Sequence, residues 1–298
     1  MNRFREGLLK PNRVIAQFVK AISPLIKDDE MYLRIVYYLE TKKKLNLNPP
    51  VSFNEKMQWL KLHCKDETYT DLVDKATVKE YISQCIGDKY LIPTLGVYNT
   101  VEDIDFELLP IQFVLKCTHD SGGLVICKNK QTLNIAAVRK KMKKSLKTNF
   151  YMRGREYPYK NVQPRIIAEK YMDDNSGTGL IDYKIYCFGG IPQFLLVVSN
   201  RAICAYFDYY DLDFNHLPFM WGGVNSPYKI QRPEKLDEML FLAQKIAKDS
   251  IQMRVDFYEV QGNVYFGEIT FFDGAGFTPF EPMEWDEKIG KLLSLPEI

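Results

Sequence analysis

One stretch carries the residues best suited to chemistry: Met253 to Gly276, MRVDFYEVQGNVYFGEITFFDGAG. Its arms, RVDFYEV and NVYFGEIT, are rich in β-branched and aromatic residues and flank a glycine-containing turn, the pattern of an antiparallel hairpin. A three-residue loop, Gln261-Gly262-Asn263, sets Val260 against Val264 and Asp256 against Glu268, with Val255, Phe257 and Ile269 on the other face. Carboxylates opposed across a ladder repel unless something neutralises them, and a divalent cation would do so. A two-residue turn at Gly262-Asn263 is the alternative; it sends the two acids to opposite faces, as solvated carboxylates. The period of two puts Arg254 on the face of Asp256 and Thr270 on the face of Glu268. There an arginine would stabilise charge developing on a metal-bound phosphate, or pair with one of the acids.

A second group fits phosphate. The strand FVLK ends in Lys116, just before a loop containing Ser121-Gly122-Gly123. Small residues let backbone N–H groups approach phosphate closely, and a lysine at the loop's base adds a point charge; the alternative is a hairpin turn with a surface lysine. The spacing of a P-loop is absent. Lys75, in VDKATVKEYI, falls at the start of a predicted helix, where a lysine is unfavourable unless an anion is near. Lys79, Lys89 and Arg34 read as surface residues. RIIAEKYM ends in Glu169-Lys170-Tyr171-Met172 before the polar loop DDNSGTG, where a free N–H and C=O could read an adenine edge, as could any strand end. NFYMRGREYPYKNVQP offers Arg153, Arg155, Tyr157, Tyr159 and Lys160 as anion or sugar contacts, or as a structured surface loop.

The elements that must position these groups follow from periodicity. Helices are predicted over Val14 to Ile26, Glu30 to Lys42, Phe53 to Leu62 (capped by Ser52 with Glu55 three residues on) and Lys75 to Ile86. IQFVLK and LVICKN flank the glycine loop as strands, LNIAAVRKKMKKSLKTNF reads as a basic helix, and DYKIYCFGGIPQFLLVVSN is a hairpin turning at Gly189-Gly190. Pro233 to Ser250 presents Leu236, Met239, Leu240, Ala243 and Ala247 on one helical face. The expected organisation is α+β: a mainly helical region (1–105), a small α+β unit with the glycine loop (106–170) and a larger antiparallel α+β unit with the acidic hairpin (171–298).

Composition narrows the function classes. The 298 residues are 46% apolar and 26% charged with a net charge of +2, a globular balance that argues against a nucleic-acid binder. Six cysteines without a C-x-x-C pair and three histidines argue against a zinc site or disulfide framework and for a cytoplasmic protein. The start MNRFREGLLKPNR lacks the apolar core of a signal peptide. Basic residues recur among apolar ones between Arg3 and Lys44, so a peripheral surface for membrane or an anionic glycan is one expectation, and ordinary solvated helix faces the other.

Taken in order, SFNEKMQWLKL, LVDKATVKEYI, YLIPTLGVY, FVLKCTHDSGG, REYPYKNVQPRIIAEKYM, DYKIYCFGG and the acidic hairpin resemble the ATP-grasp superfamily, specifically its TupA-like branch, associated with teichuronopeptide and capsular polysaccharide biosynthesis. The resemblance runs from about Tyr37 to the C-terminus. It implies an ATP-grasp fold, two subdomains clasping ATP, and a ligase that joins a carboxylate to an amine through an acyl phosphate. It casts Lys75 and Lys116 as phosphate lysines under the Ser121, Gly122 and Gly123 loop. Glu169, Lys170, Tyr171 and Met172 become the adenine hinge, Asp182 (or Asp173 or Asp174) a ribose contact and Lys184 a further phosphate contact. Asp256 and Glu268, with Thr270, become ligands of Mg2+, and Arg254 faces the acyl phosphate. Two departures stand out: Thr270 replaces the usual Asn, and HDSGG replaces HGSG. The implied substrates are a uronic acid of a surface glycan or its precursor and an amine such as an amino acid. The rival classes are a glycosyltransferase using DLD, Asp211 to Asp213, as its D-x-D motif, a kinase of a sugar hydroxyl, and a polysaccharide-binding module with a decayed site.

Overall fold

Local signals set the helices. Ser52 accepts the Glu55 N–H and the Glu55 carboxylate accepts the Ser52 N–H, a capping box that starts the helix Phe53–His63. The computed structural model describes residues 11–297; the basic positions Arg3, Arg5 and Lys10 lie outside the described residues. Helices Pro11–Ala21, Asp29–Thr41, Phe53–His63, Thr68–Val73 and Val78–Ile86 come first. Lys75 therefore lies three residues ahead of its helix, in the turn before it, so the helix-dipole argument for a nearby anion does not apply to it.

Two antiparallel sheets follow. The smaller has the order β1-β4-β2-β3, built from β1 (Thr94–Tyr98), β2 (Phe113–Cys117), β3 (Leu124–Cys127) and β4 (Ile166–Lys170). Helix Ile135–Leu146 packs Val138 and Met142 against Phe113, Leu115 and Cys117 on one face of it. Its edge strand β1 comes from the first hundred residues, which read as mainly helical.

The larger sheet has the order β10-β9-β5-β6-β7, from β5 (Asp182–Phe188), β6 (Ile191–Ser199), β7 (Tyr206–Tyr210), β9 (Gln252–Val260) and β10 (Asn263–Thr270). Gly189 and Gly190, at φ 57° and 74°, make the β5–β6 turn. Helix Leu236–Ile246 and helix Phe53–His63 join its core through Leu236, Met239, Ala243, Phe53 and Met57. A short ladder of β8 (Met220–Trp221) and β11 (Phe280–Glu281) completes that core.

The acidic hairpin reaches its expected pairing by a different route. Its turn is Gln261-Gly262, both residues at positive φ, so Asn263 rather than Val264 faces Val260. The register then shifts at Gly267, and beyond that bulge Asp256 faces Glu268, Val255 faces Ile269 and Arg254 faces Thr270. Gly267 fits because a Cβ there would stand 3.1 Å from the Asp256 carbonyl oxygen.

Candidate active site

The corner of β5, β9 and β10 is organised by cations. Lys184 on β5 is the register partner of Asp256 on β9, which in turn faces Glu268 on β10. Arg254 donates to both Asp256 oxygens, from Nε at 2.7 Å and Nη2 at 2.8 Å, and the Lys184 ammonium bonds the same carboxylate. Nη2 also reaches Thr270 Oγ1 at 3.0 Å and Glu268 Oε1 at 3.3 Å, while Nη1 pairs with Asp273 at 2.9 Å. The Tyr186 hydroxyl closes the network on Asp273. The repulsion between the opposed acids is relieved here by protein cations, the salt-bridge alternative for Arg254.

The two acids differ in availability. Burial pushes the Asp256 carboxyl up against the pull of Arg254 and Lys184, and both of its oxygens are occupied. Burial also raises Glu268, but Lys75, Lys184, Arg254 and Lys116 outweigh it and hold the carboxyl down at about 2. The Glu268 side chain keeps 38% of its surface accessible, with Lys75 Nζ 3.8 Å away. Magnesium takes one or two carboxylates and completes its shell with phosphate and water. Glu268 fits that role directly, whereas both Asp256 oxygens are held by Arg254 and Thr270 Oγ1 already accepts from Arg254. Among the described residues no cluster of three or more His, Cys, Asp or Glu side chains is placed to hold a metal by itself.

On the smaller sheet, Glu169 is buried between two lysines, its Oε1 2.5 Å from Lys79 Nζ and its Oε2 2.7 Å from Lys116 Nζ. Burial raises this carboxyl, yet Lys116 and Lys79 together keep it below the usual range. Lys79, read from sequence as a surface residue, is therefore part of the site. Lys170 spends its N–H on the Pro93 carbonyl at 3.0 Å, which leaves only its C=O to read an adenine edge. Tyr171 and Met172 line a cavity of about 260 Å3 with Val114, Leu124, Ile126 and Leu180, and Glu169, Asp182 and Lys116 form its polar rim. Asp182 is buried against Arg201 and lies 3.7 Å from Lys184, whereas Asp173 and Asp174 accept the N–H groups of Asn175 and Ser176 within their own loop.

The glycine loop has a fixed root. Asp120 Oδ1 accepts the Gly123 N–H at 2.9 Å, and its other oxygen accepts the Ser145 hydroxyl. A Cβ on Gly123 would collide with Ser145 Oγ at 2.4 Å and Cys117 Cβ at 2.6 Å. Lys75 Nζ donates to the Asp120 carbonyl at 2.8 Å, so it sits beneath the loop and beside Glu268. Ser121 and Gly122 are exposed at the tip.

These parts form one trench. The apolar slot shares Lys116, Asp182, Arg201 and Tyr258 with a central cavity of about 560 Å3, into which Lys75, Lys184, Arg254 and Glu268 also project. That cavity shares Lys75, Ser121, Arg254, Glu268 and Asp273 with an end chamber of about 630 Å3, lined further by Lys20, Phe150, Arg153, Glu156 and Tyr159. Of the anion-contact candidates, Arg153 and Tyr159 reach this chamber. Arg155 does not: it is buried over Tyr32, ion-pairs with Asp29 and donates to the Ser23 and Ile26 carbonyls. Sequence reasoning missed Lys79, Asp120, Glu156, Tyr186, Arg201 and Asp273 as site residues. Asp273 carried a signal, standing between Phe272 and the turn glycine Gly274, five residues after Glu268. In DLD, Asp211 closes its own turn by accepting the Asn215 backbone N–H at 2.7 Å, and neither aspartate lines the trench.

Comparison with known proteins bears on this geometry. A family model described as TupA-like ATPgrasp matches residues 55–294. No curated protein matches the chain. Among solved structures, D-alanine–D-alanine ligase from Helicobacter pylori is similar with a TM-score of 0.44 and 13% identity, over 83% of this chain and 68% of that one. Biotin carboxylase from Campylobacter jejuni in a β,γ-ATP complex gives 0.43 and 15%, over 82% and 54%. D-alanine–D-alanine ligase from Bacillus anthracis gives 0.39 and 17% over 75% of this chain, which spans 60% of that protein's length.

Proposed function

The chain belongs to the TupA-like ATP-grasp family, and from that premise we propose that it is an ATP- and magnesium-dependent carboxylate–amine ligase. The observation that carries this reading is the central cavity, where Lys75, Lys116, Lys184 and Arg254 converge with Glu268 beside an apolar slot. The slot suits a purine, with Asp182 at its rim for the ribose. The cations spread the charge of the phosphates. Glu268 would hold magnesium, which when bound supplies further positive charge against the γ-phosphate.

In this reading a substrate carboxylate attacks the γ-phosphorus, ADP leaves and an acyl phosphate forms. An amine nitrogen then displaces phosphate to give the amide. Arg254 lines both the central cavity and the end chamber, where it can neutralise the anion in each step. No side-chain nucleophile is needed, because catalysis here is positioning and charge stabilisation.

The resemblance to a family associated with teichuronopeptide and capsular polysaccharide favours, as the carboxylate, a uronic acid of a bacterial surface glycan or its precursor, handled in the cytoplasm. A peripheral membrane contact belongs to the same reading, supported by exposed Val14, Ile15 and Phe18 on helix Pro11–Ala21. Among the described residues no helix is long and apolar enough to cross a membrane.

The test is thermal unfolding of the wild type and Glu268→Gln with a non-hydrolysable ATP analogue, with and without magnesium. A ligand at a hundred times its dissociation constant adds about 2.7 kcal/mol. The expected result is a magnesium-dependent rise in the wild type that the variant loses. A rise with a sugar nucleotide and none with the ATP analogue would sink the ligase in favour of the transferase. ADP release that tracks a sugar without an amine would point to the kinase.

A further inference from the structure

The segment SFNEKMQWLKL has no role in the site described so far, yet its helix, Phe53–His63, carries a polar stripe where a core-facing helix is expected to be apolar. Asn54, Gln58 and Lys61 follow one another at intervals of four and three residues, which stacks them on one face, and they are 0%, 0% and 3% exposed. Burying an ammonium and two amides costs free energy unless they are bonded, and here the bonds converge on one target. Asn54 Nδ2 donates to the Thr278 carbonyl at 2.9 Å, and Gln58 Nε2 to the Ala275 and Gly276 carbonyls at 3.1 and 2.7 Å. Lys61 Nζ donates to the Ala275 carbonyl at 2.6 Å and to Gln58 Oε1 at 3.0 Å, which fixes the orientation of the Gln58 amide.

The target is the turn that follows β10. Gly274, Ala275 and Gly276 all stand at left-handed φ, 56°, 53° and 60°. Glycine adopts that conformation freely and alanine does not, so Ala275 is strained, and a strained residue persists only where its surroundings over-determine it. The helix does so: two of its donors meet on the Ala275 carbonyl, and a Cβ on Gly276 would stand 2.5 Å from Gln58 Nε2. Burial pushes the Lys61 ammonium down to about 7, against the pull of Glu156 and with the push of Lys20. A desolvated cation is thus committed to one backbone oxygen.

On its other side the turn presents Asp273. That carboxylate pairs with Arg254 Nη1 at 2.9 Å and accepts the Tyr186 hydroxyl. The other Arg254 nitrogens are held by Asp256, Glu268 and Thr270, all on β9 and β10, so Asp273 reaches the guanidinium from outside that ladder.

We propose that Gln58 and Lys61 are positioning residues: holding the left-handed turn from behind, they set Asp273 on Arg254 and so fix the guanidinium where it meets the transferring phosphate. The role of Arg254 in this step rests on the ligase reading, whereas the hold on the turn stands without it.

The experiment uses Lys61→Met, Gln58→Leu, Asp273→Asn and the double variant of Lys61→Met with Asp273→Asn, at a temperature where each is folded. Two quantities are measured: the affinity for a non-hydrolysable ATP analogue relative to ADP, both with magnesium, and hydrogen exchange at the amides of residues 273–278. In Lys61→Met and Gln58→Leu the affinity for ADP should be kept, that for the ATP analogue should fall about tenfold, and the turn should exchange about tenfold faster. A merely structural role would leave the ratio of the two affinities unchanged. The double variant should lose no more of that ratio than Asp273→Asn alone, because Lys61 acts through Asp273. Turn exchange at the wild-type rate in both single variants overturns the proposal, as does an unchanged ratio or a loss that is additive in the double variant. A wild type that binds neither nucleotide sinks the ligase reading instead. Faster exchange confined to the turn, with non-additive stability losses for Lys61 and Asp273, would then still support the hold on Arg254, and uniform exchange would overturn it. Gln58→Leu keeps the ammonium, so it and its own double variant with Asp273→Asn carry the test should Lys61→Met fail to fold.

Discussion

Asp256, behind Arg254 and Lys184 of the central cavity, and Glu156, in the wall of the end chamber, are buried carboxylates, 1% and 5% exposed, and their surroundings are opposite. Asp256 has Arg254 on both oxygens and Lys184 on one of them. Glu156 faces a chamber with no partner of its own among the described residues. The difference separates two uses of buried charge. Around Asp256 the protein supplies the counter-charges and so fixes the positions of Arg254 and Lys184. At Glu156 burial acts without a bonded counter-charge and pushes the carboxyl up to about 7.

The largest effect expected from that contrast follows Asp256→Ala. It strands Arg254 and Lys184 without their shared acid, and breaking a buried pair from one side costs about 3–5 kcal/mol. Urea unfolding should show that loss in the midpoint at constant slope, and a loss under about 1 kcal/mol would mean the cations do not depend on Asp256.

Glu156→Gln should go the other way. The folded pKa of about 7 lies above the unfolded carboxyl value near ~4.3, so the stability associated with Glu156 is full below the unfolded value and is lost as pH rises through 7. The glutamine variant should match the wild type near pH 4 and exceed it by about 1–2 kcal/mol at pH 8. A destabilised variant at pH 8 would show that Glu156 has a structural partner and would remove the contrast. Arg153→Met sharpens the picture at the small end: an exposed residue without an ion pair should change stability by less than about 0.5 kcal/mol.

The legible parts of the molecule were those with strong local periodicity. The Ser52 capping box, the glycine turn between β5 and β6, and the strands flanking the glycine loop all follow from short-range chemistry. The pairing of Asp256 with Glu268 was also legible, although through a wrong turn: a loop one residue too long compensated for an overlooked bulge. Gly267, lone within a strand, was the signal for that bulge. The misses share a different cause. Lys79 joins Glu169 across ninety residues of sequence only because the fold brings the first turn of helix Val78–Ile86 within reach of β4, and Glu156 is seated as it is only because Gly154 leaves space beside it. Contacts between distant segments have no period in the sequence. Lys75 was misplaced because helix onset is set by a turn, in which Asp74 accepts the N–H groups of Ala76 and Thr77, and not by the residues that follow.

The root of the glycine loop has a consequence for timing as well as for shape. With Gly123 tied to Asp120, Asp120 tied to Ser145 and Lys75 bonded to the Asp120 carbonyl, only Ser121 and Gly122 remain to be ordered against an arriving anion. Fixing a residue's backbone costs about 1–2 kcal/mol of conformational entropy, so the tip loses only a few kcal/mol of binding to immobilisation. Loop motions of this length run in nanoseconds to microseconds, and departure of a spent nucleotide would not wait on the loop tip.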